Sequence, residues 1–158
     1  MQHRSYWSLM LFAGLCLVAG ALVYLVGRPA GSAYLLPVGW YRSAGVSWLS
    51  GALGQSLPSF LHALAFSLAT AACLSPWRYA ASASCGLWLL VGSVFEIAQA
   101  NAVATVVTTR LPAFFADWPV LDHVAAYLLN GRMDPMDLVF TAAGCGLAWV
   151  VLHRRARS

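Results

Sequence analysis

Four long stretches of this chain carry almost no charge, and that pattern dictates the solvent in which it can fold. Trp7 to Gly27 is 21 residues without a charged side chain, and Leu138 to Leu152 adds 15 more. An α-helix rises about 1.5 Å per residue, so roughly 20 apolar residues cross the ~30 Å hydrocarbon core of a bilayer. Leu57 to Ser75 is likewise uncharged, and Tyr79 to Gln99 holds a single acid, Glu96. Of the 158 residues, 61% are hydrophobic. A water-soluble fold of that size cannot enclose so much apolar surface, because the buried fraction grows too slowly with size. The expected architecture is an all-α membrane protein forming one integral membrane domain, residues 1–158. Its core is a four-transmembrane-helix bundle at about 7–27, 57–75, 79–99 and 134–152.

The segments between these runs differ in kind. Pro76-Trp77-Arg78 is so short that the helices on either side of it must lie antiparallel. Arg28 to Ser56 is a long connector containing Pro29, Pro37, Trp40, Tyr41 and Trp48. Its Pro and Gly residues interrupt a helix, while Trp and Tyr suit the headgroup level. Ser43 to Leu53 reads as a short helix lying in the interface. Arg110 to Arg132 is the second long connector, and within it Leu111 to Pro119 sets three aromatics between two prolines. That pattern fits an interfacial or re-entrant segment, and Asp122 to Leu129 then reads as a short helix stopped by Asn130-Gly131. At the N-terminus a cleaved signal peptide competes with a retained span. Its apolar region would normally be ~7–15 residues, so the longer run here, followed directly by Arg28-Pro29, favours a retained anchor helix.

Nine Arg and no Lys stand against five acids, for a net charge of +4. No basic stripe interleaved with aromatics accompanies that charge, so nucleic acid is not the expected partner. Four spans put both termini on one side, together with Arg4, Arg78, Arg154, Arg155 and Arg157 and no acid. The opposite side holds Arg28, Arg42, Arg110 and Arg132, offset by Asp117, Asp122, Asp134 and Asp137. Cytoplasmic segments carry the excess of Arg, which places both termini in the cytoplasm and both long connectors outside. Cys16, Cys73, Cys85 and Cys145 all fall in apolar runs, with no CxxC pair and no His at metal spacing. They read as small hydrophobes. No metal or cofactor motif is present.

Polar residues inside the apolar runs are the candidates for function, because each is costly in lipid unless it serves a purpose. Asn130 to Asp137 packs one Arg and two Asp into eight residues of a chain that is 9% charged. If the third helix enters from the cytoplasm at Tyr79, Glu96 lies roughly 26 Å further on, near the outer edge of the hydrocarbon, with Gln99 a turn beyond. Asp134 and Asp137 begin the fourth helix at that same level, and His62 sits ~6 Å below Pro58 on the second. Glu96 and Gln99 share a helix face, so Glu96 should face the bundle and find a partner. Arg132 is the obvious one, although pairing with Asp137 or Asp117 remains open. Asp134-Pro135-Met136-Asp137 is also a well-made helix start, with Asp134 as N-cap and Pro135 in the first helical position. Capping therefore competes with a binding role for Asp134. The candidates for chemistry are Glu96, Asp137 and His62, and for ligand binding Arg132, Gln99 and Asp134. No Ser-His-Asp order, G-x-S-x-G elbow or HExxH spacing supports a particular reaction.

These residues also carry a resemblance. Phe95-Glu96-Ile97-Ala98-Gln99, then Gly131-Arg132-Met133-Asp134-Pro135-Met136-Asp137-Leu138, resembles the VanZ-like family of small bacterial membrane proteins. Ala142-Ala143-Gly144-Cys145-Gly146 fits that family's last helix, and Pro58-Ser59-Phe60-Leu61-His62 its polar helix start, so the similarity spans about residues 57–152. The lysine often found one turn before that histidine is missing, and the connector from Ala100 to Arg132 is long and aromatic. The resemblance implies a multi-pass protein of the bacterial inner membrane and cell envelope, with a role like glycopeptide resistance. Such a protein would bind or modify a lipid headgroup, a lipid-linked glycan or a glycopeptide at its outer polar site. Two other classes stay open: a hydrolase or transferase acting on a lipid-linked substrate at the membrane edge, and a purely structural small subunit associating with another membrane protein.

Overall fold

The structure, a computed structural model, describes residues 2–27, 51–75, 77–118, 121 and 123–157. The helices, in chain order, are α1 (Gln2–Gly27), α2 (Ala52–Cys73), α3 (Ala80–Ala98), α4 (Asn101–Thr108), α5 (Val124–Asn130) and α6 (Pro135–Arg157). Ala113–Asp117 forms a 3-10 turn, and there is no strand among the described residues. Four helices are long and apolar enough to cross a membrane, over Tyr6–Val23, Gly54–Cys73, Ala80–Ala98 and Pro135–Ala156. The expected all-α membrane bundle of four spans is therefore the observed architecture.

Neighbouring side chains fix the direction and register of each helix. Ser75 Oγ donates to Tyr6 Oη at 2.7 Å, and Gly20 lies against the His62 ring, so α1 and α2 are antiparallel. Arg155 reaches Ser8 Oγ at 3.0 Å, bringing the end of α6 beside the start of α1. Gly144 packs on Phe60, Ala63 and Leu64, and Ser67 Oγ donates to Cys145 Sγ at 3.7 Å, so α2 and α6 run parallel. Trp88 Nε1 donates to Thr70 Oγ1 at 2.8 Å, and Gly92 lies against Thr141, which sets α3 antiparallel to both. Helix α2 is central, touching α1, α3 and α6, and α3 also packs on α6. One end of the bundle gathers Tyr6, Ser75, Arg78 and Arg155; it is called the turn end below. The other gathers Gly51, Gln99 and Asp134 and is called the connector end.

Small residues carry the α2–α6 seam. Without a hydrophobic force between helices in lipid, association depends on close backbone approach. At Gly144 a methyl group would collide with the Phe60 carbonyl oxygen and come within 3.1 Å of both Ala63 Cβ and Leu64 N. Ala63, Leu64, Ala65, Leu68, Cys145 and Ala148 are buried around that contact. Cross-helix hydrogen bonds such as Trp88–Thr70 contribute about 0.6 kcal/mol each in such bundles.

Several boundaries differ from the sequence expectation. Helix α2 starts at Ala52 rather than Leu57, so Pro58 lies within it. The proline removes one bond, to the Gly54 carbonyl, near the start of the helix, and its ring is fully buried. Of the interfacial helix expected at Ser43–Leu53, residues up to Ser50 lie outside the described part, and Ala52 and Leu53 belong to α2. Beyond the third span the threonine-rich stretch is helical again. After a break at Ala100 (φ −64°, ψ 127°), α4 forms, with Thr105 Oγ1 bonding the Asn101 carbonyl at 2.9 Å and Thr108 Oγ1 the Ala104 carbonyl at 2.8 Å. These back-bonds absorb the hydroxyls that otherwise disfavour Thr in a helix. Cys73 is exposed, while Cys16, Cys85 and Cys145 are buried; none of these thiols is in a disulfide.

Candidate functional site

The connector end is where the polar residues of three helices come together. Glu96, on the last turn of α3, is 92% buried, and its Oε1 accepts the backbone N–H of Asp134 at 2.5 Å. Asp134 in turn caps α6, its Oδ1 accepting the Met136 N–H at 2.9 Å. The expected helix start is thus observed, and Glu96 is tied to it from the neighbouring helix. A negative group here also lies at the positive end of the α6 dipole.

Asp137, one turn into α6, is placed by the same packing. Gly92 of α3 lies against Thr141 of α6. One turn on from Gly92 is Glu96 and one turn back from Thr141 is Asp137, so the two acids share a level on facing stripes. The α2–α6 seam gives a matching result. Gly144 lies against Ala63; two turns back along these parallel helices are Asp137 and Ser56. Ser56, Phe60, Ala63 and Ser67 follow helical spacing on one face of α2, and Asp137, Thr141, Gly144 and Ala148 do so on α6. Ser56 is completely buried. Ser56 Oγ and Asp137 Oδ1 are the buried side-chain oxygens without a hydrogen-bond partner among the described residues.

Gln99, one residue past α3, is half-buried; its Nε2 lies 3.4 Å from both the Phe95 carbonyl and Tyr127 Oη of α5. Gly131 ends α5 as expected, its N–H donating to the Tyr127 carbonyl at 2.9 Å, and its backbone is extended, at φ −71° and ψ 162°. Its lack of a side chain serves a different purpose. A methyl group there would overlap the Gln99 side chain, at 2.8 Å from its Cγ and Cδ. The helix expected at Asp122–Leu129 runs from Val124 to Asn130, and Asp122 itself lies outside the described residues.

Two candidates stand apart from this cluster. Arg132 is exposed, and no ion pair joins it to Glu96, Asp137 or Asp117 among the described residues; one partner of Glu96 is the Asp134 backbone. Arg132 lies between Gly131 and Asp134 in the chain, next to the cluster in sequence. His62 lies six residues along α2 from Ser56, about 9 Å deeper, and off the α6-facing stripe. Its ring packs against Gly20 of α1 and stacks on Phe66, with centroids 6.0 Å apart, and Phe66 stacks on Trp88 at 4.5 Å. These contacts join it to the α1 seam rather than to Glu96 and Asp137.

Sequence reasoning passed over Ser56, because it ended the first connector there and began the second span at Leu57, whereas α2 starts at Ala52. It also passed over Tyr127, whose hydroxyl reaches Gln99 from a short helix in the connector. Among the described residues no group of three or more His, Cys, Asp or Glu is placed to hold a metal ion. Two shallow concavities lie elsewhere. One is beside Trp149, His153 and Arg154 at the turn end, and the other is a groove between Gly86 and Leu89 of α3 and Ala142 and Gly146 of α6. No family model matches this chain, and no curated protein or solved structure is detectably similar to it.

Proposed function

We propose that this chain is a VanZ-like protein of the bacterial inner membrane that binds the polar head of an amphiphile at its connector end. The ligand is a lipid headgroup, a lipid-linked glycan or a glycopeptide, and the role is one in the cell envelope akin to glycopeptide resistance. The observation that carries this is Asp137 Oδ1, a buried carboxylate oxygen with no hydrogen-bond partner among the described residues, at the level of Glu96. A polar atom left unsatisfied in a dry site costs about 1–3 kcal/mol, so natural proteins keep few of them. A purely structural subunit has no reason to retain one, whereas a receptor does, because the ligand supplies the missing bond. The exposed guanidinium of Arg132, two residues before the α6 cap, suits the anionic part of such a ligand. With both termini cytoplasmic, the connector end faces the outer leaflet.

The test makes Glu96→Gln, Arg132→Ala and Asp137→Asn singly and follows membrane yield together with glycopeptide sensitivity. Mass spectrometry of the purified wild-type protein identifies any co-purifying amphiphile. Asp137→Asn is expected to abolish the phenotype and the bound amphiphile at normal yield. If all three variants lose phenotype only in step with folded protein, the cluster is structural and the receptor reading fails.

A further inference from the structure

Ser56 is the element of the connector end that the resemblance does not touch, and its environment specifies what kind of group the site takes. It is completely buried, its Oγ has no hydrogen-bond partner among the described residues, and helical spacing puts it on the stripe of α2 that faces Asp137. A polar group near the hydrocarbon has little water to satisfy it, so two unbonded oxygens on facing stripes at one level are a joint demand for a guest.

The chemistry of the two oxygens differs. An ionised carboxylate only accepts hydrogen bonds, whereas a serine hydroxyl donates one and accepts others. A guest hydroxyl matches both, donating to Asp137 Oδ1 and accepting from Ser56 Oγ–H. An ammonium has only donors and leaves the serine proton without an acceptor. A phosphate or carboxylate has only acceptors and meets the Asp137 charge unfavourably. A multivalent cation needs more ligands than are gathered here, since no metal-holding group of acids, Cys or His is present among the described residues. Resting on the receptor reading above, we propose that Ser56 and Asp137 form a hydroxyl-recognition subsite, and that the amphiphile bound at the connector end carries a sugar-type, polyhydroxylated head.

The experiment uses the full chain in phosphatidylcholine nanodiscs containing a minor fraction of monoglucosyl-diacylglycerol or, separately, phosphatidylethanolamine of the same acyl chains. Lipid retained by the protein is read by native mass spectrometry, and thermal stability is measured on the same samples. Wild type is expected to enrich the glucosyl lipid and not the ethanolamine lipid. Ser56→Ala is expected to lower that enrichment about five- to tenfold, the worth of one hydrogen bond, while thermal stability stays the same or rises because a buried unsatisfied hydroxyl has gone. A structural role predicts the opposite pair of results, lost stability with unchanged enrichment, and would overturn the proposal. So would preference for the ethanolamine lipid, which marks a carboxylate-only cation site and leaves the receptor reading intact. If wild type enriches neither lipid, nor any amphiphile co-purifies with it, the subsite and the receptor reading fall together. Excess methyl glucoside distinguishes the source of the hydroxyl: displacement of the lipid assigns the subsite to a free sugar, and persistence assigns it to a lipid-borne one.

Discussion

Glu96 on α3 bonds the backbone N–H of Asp134, the residue that caps α6, so the end of one span is fastened to the start of another by a single carboxylate. The bond clamps together two helices of the same chain whose bonded residues are 38 positions apart. It also explains why an acid is tolerated at this depth: Glu96 accepts from a backbone donor that has no helical partner of its own, beside the positive end of the α6 dipole.

Acceptor and charge can be separated by substitution. Glu96→Ala leaves the Asp134 N–H without its acceptor and should lower stability by about 1–3 kcal/mol. Glu96→Gln keeps an oxygen in place and should cost less than half as much. Thermal unfolding of the detergent-purified proteins ranks them. A Gln variant as damaged as the Ala variant would show that charge, not the hydrogen bond, is what the helix junction needs.

Gly131 and Gln99 make a second interlocked pair. Alanine at 131 overlaps only the flexible end of the Gln99 side chain, which can rotate away, so Gly131→Ala should cost less than the ~1–3 kcal/mol of overpacking a rigid contact. The backbone there is extended and accepts any residue, so the cost should be relieved when Gln99→Ala clears the space. A double-mutant cycle measures this directly. Additive losses would mean that Gly131 is needed for its own conformation after all.

The spans, their number and the polar level were legible because they depend on hydrophobic run length and rise per residue, which lipid enforces strictly. Contacts across helices were not. Arg132 looked like the partner of Glu96 because opposite charges at one depth invite pairing, yet a backbone amide sits closer. Gly131 does stop α5, as the sequence suggests, and only the position of Gln99 reveals its second, steric role. His62 matched the polar stratum roughly in depth but lies on the α1 side of α2. Ser56 could not be singled out, since the uncharged run reads as a span from Leu57 and only the earlier start of α2 carries Ser56 into the bundle.

The small-residue run on α6 contains two glycines with different duties. At Gly144 a methyl group meets the α2 backbone at Phe60 and Leu64, which cannot move without separating the helices. At Gly146 there is open space within 4 Å. Gly144→Ala should therefore cost about 1–3 kcal/mol, the usual range for overpacking a tight contact. Gly146→Ala should be neutral or slightly stabilising, because alanine is the better helix former. Equal effects in a thermal unfolding comparison would contradict the α2–α6 register from which the level of Ser56 and Asp137 was derived.

Topology is the remaining test, because it decides which leaflet the connector end can serve. The Tyr6–Ser75 and Ser8–Arg155 bonds hold the start of α1, the α2–α3 turn and the end of α6 at one end of the bundle. Arg4, Arg78, Arg154, Arg155 and Arg157 fall at that end without an acid, whereas Arg110 and Arg132 at the other are accompanied by Asp117, Asp134 and Asp137. Unopposed Arg near span ends resists translocation, so the turn end should stay in the cytoplasm. A phosphatase reporter fused after Ser158 should be inactive and a fluorescent reporter at the same point bright, while a phosphatase inserted after Asp117 should be active. An active phosphatase at Ser158 would put the Ser56–Asp137 level on the cytoplasmic leaflet. It would remove an extracellular glycopeptide from the ligands the site can reach.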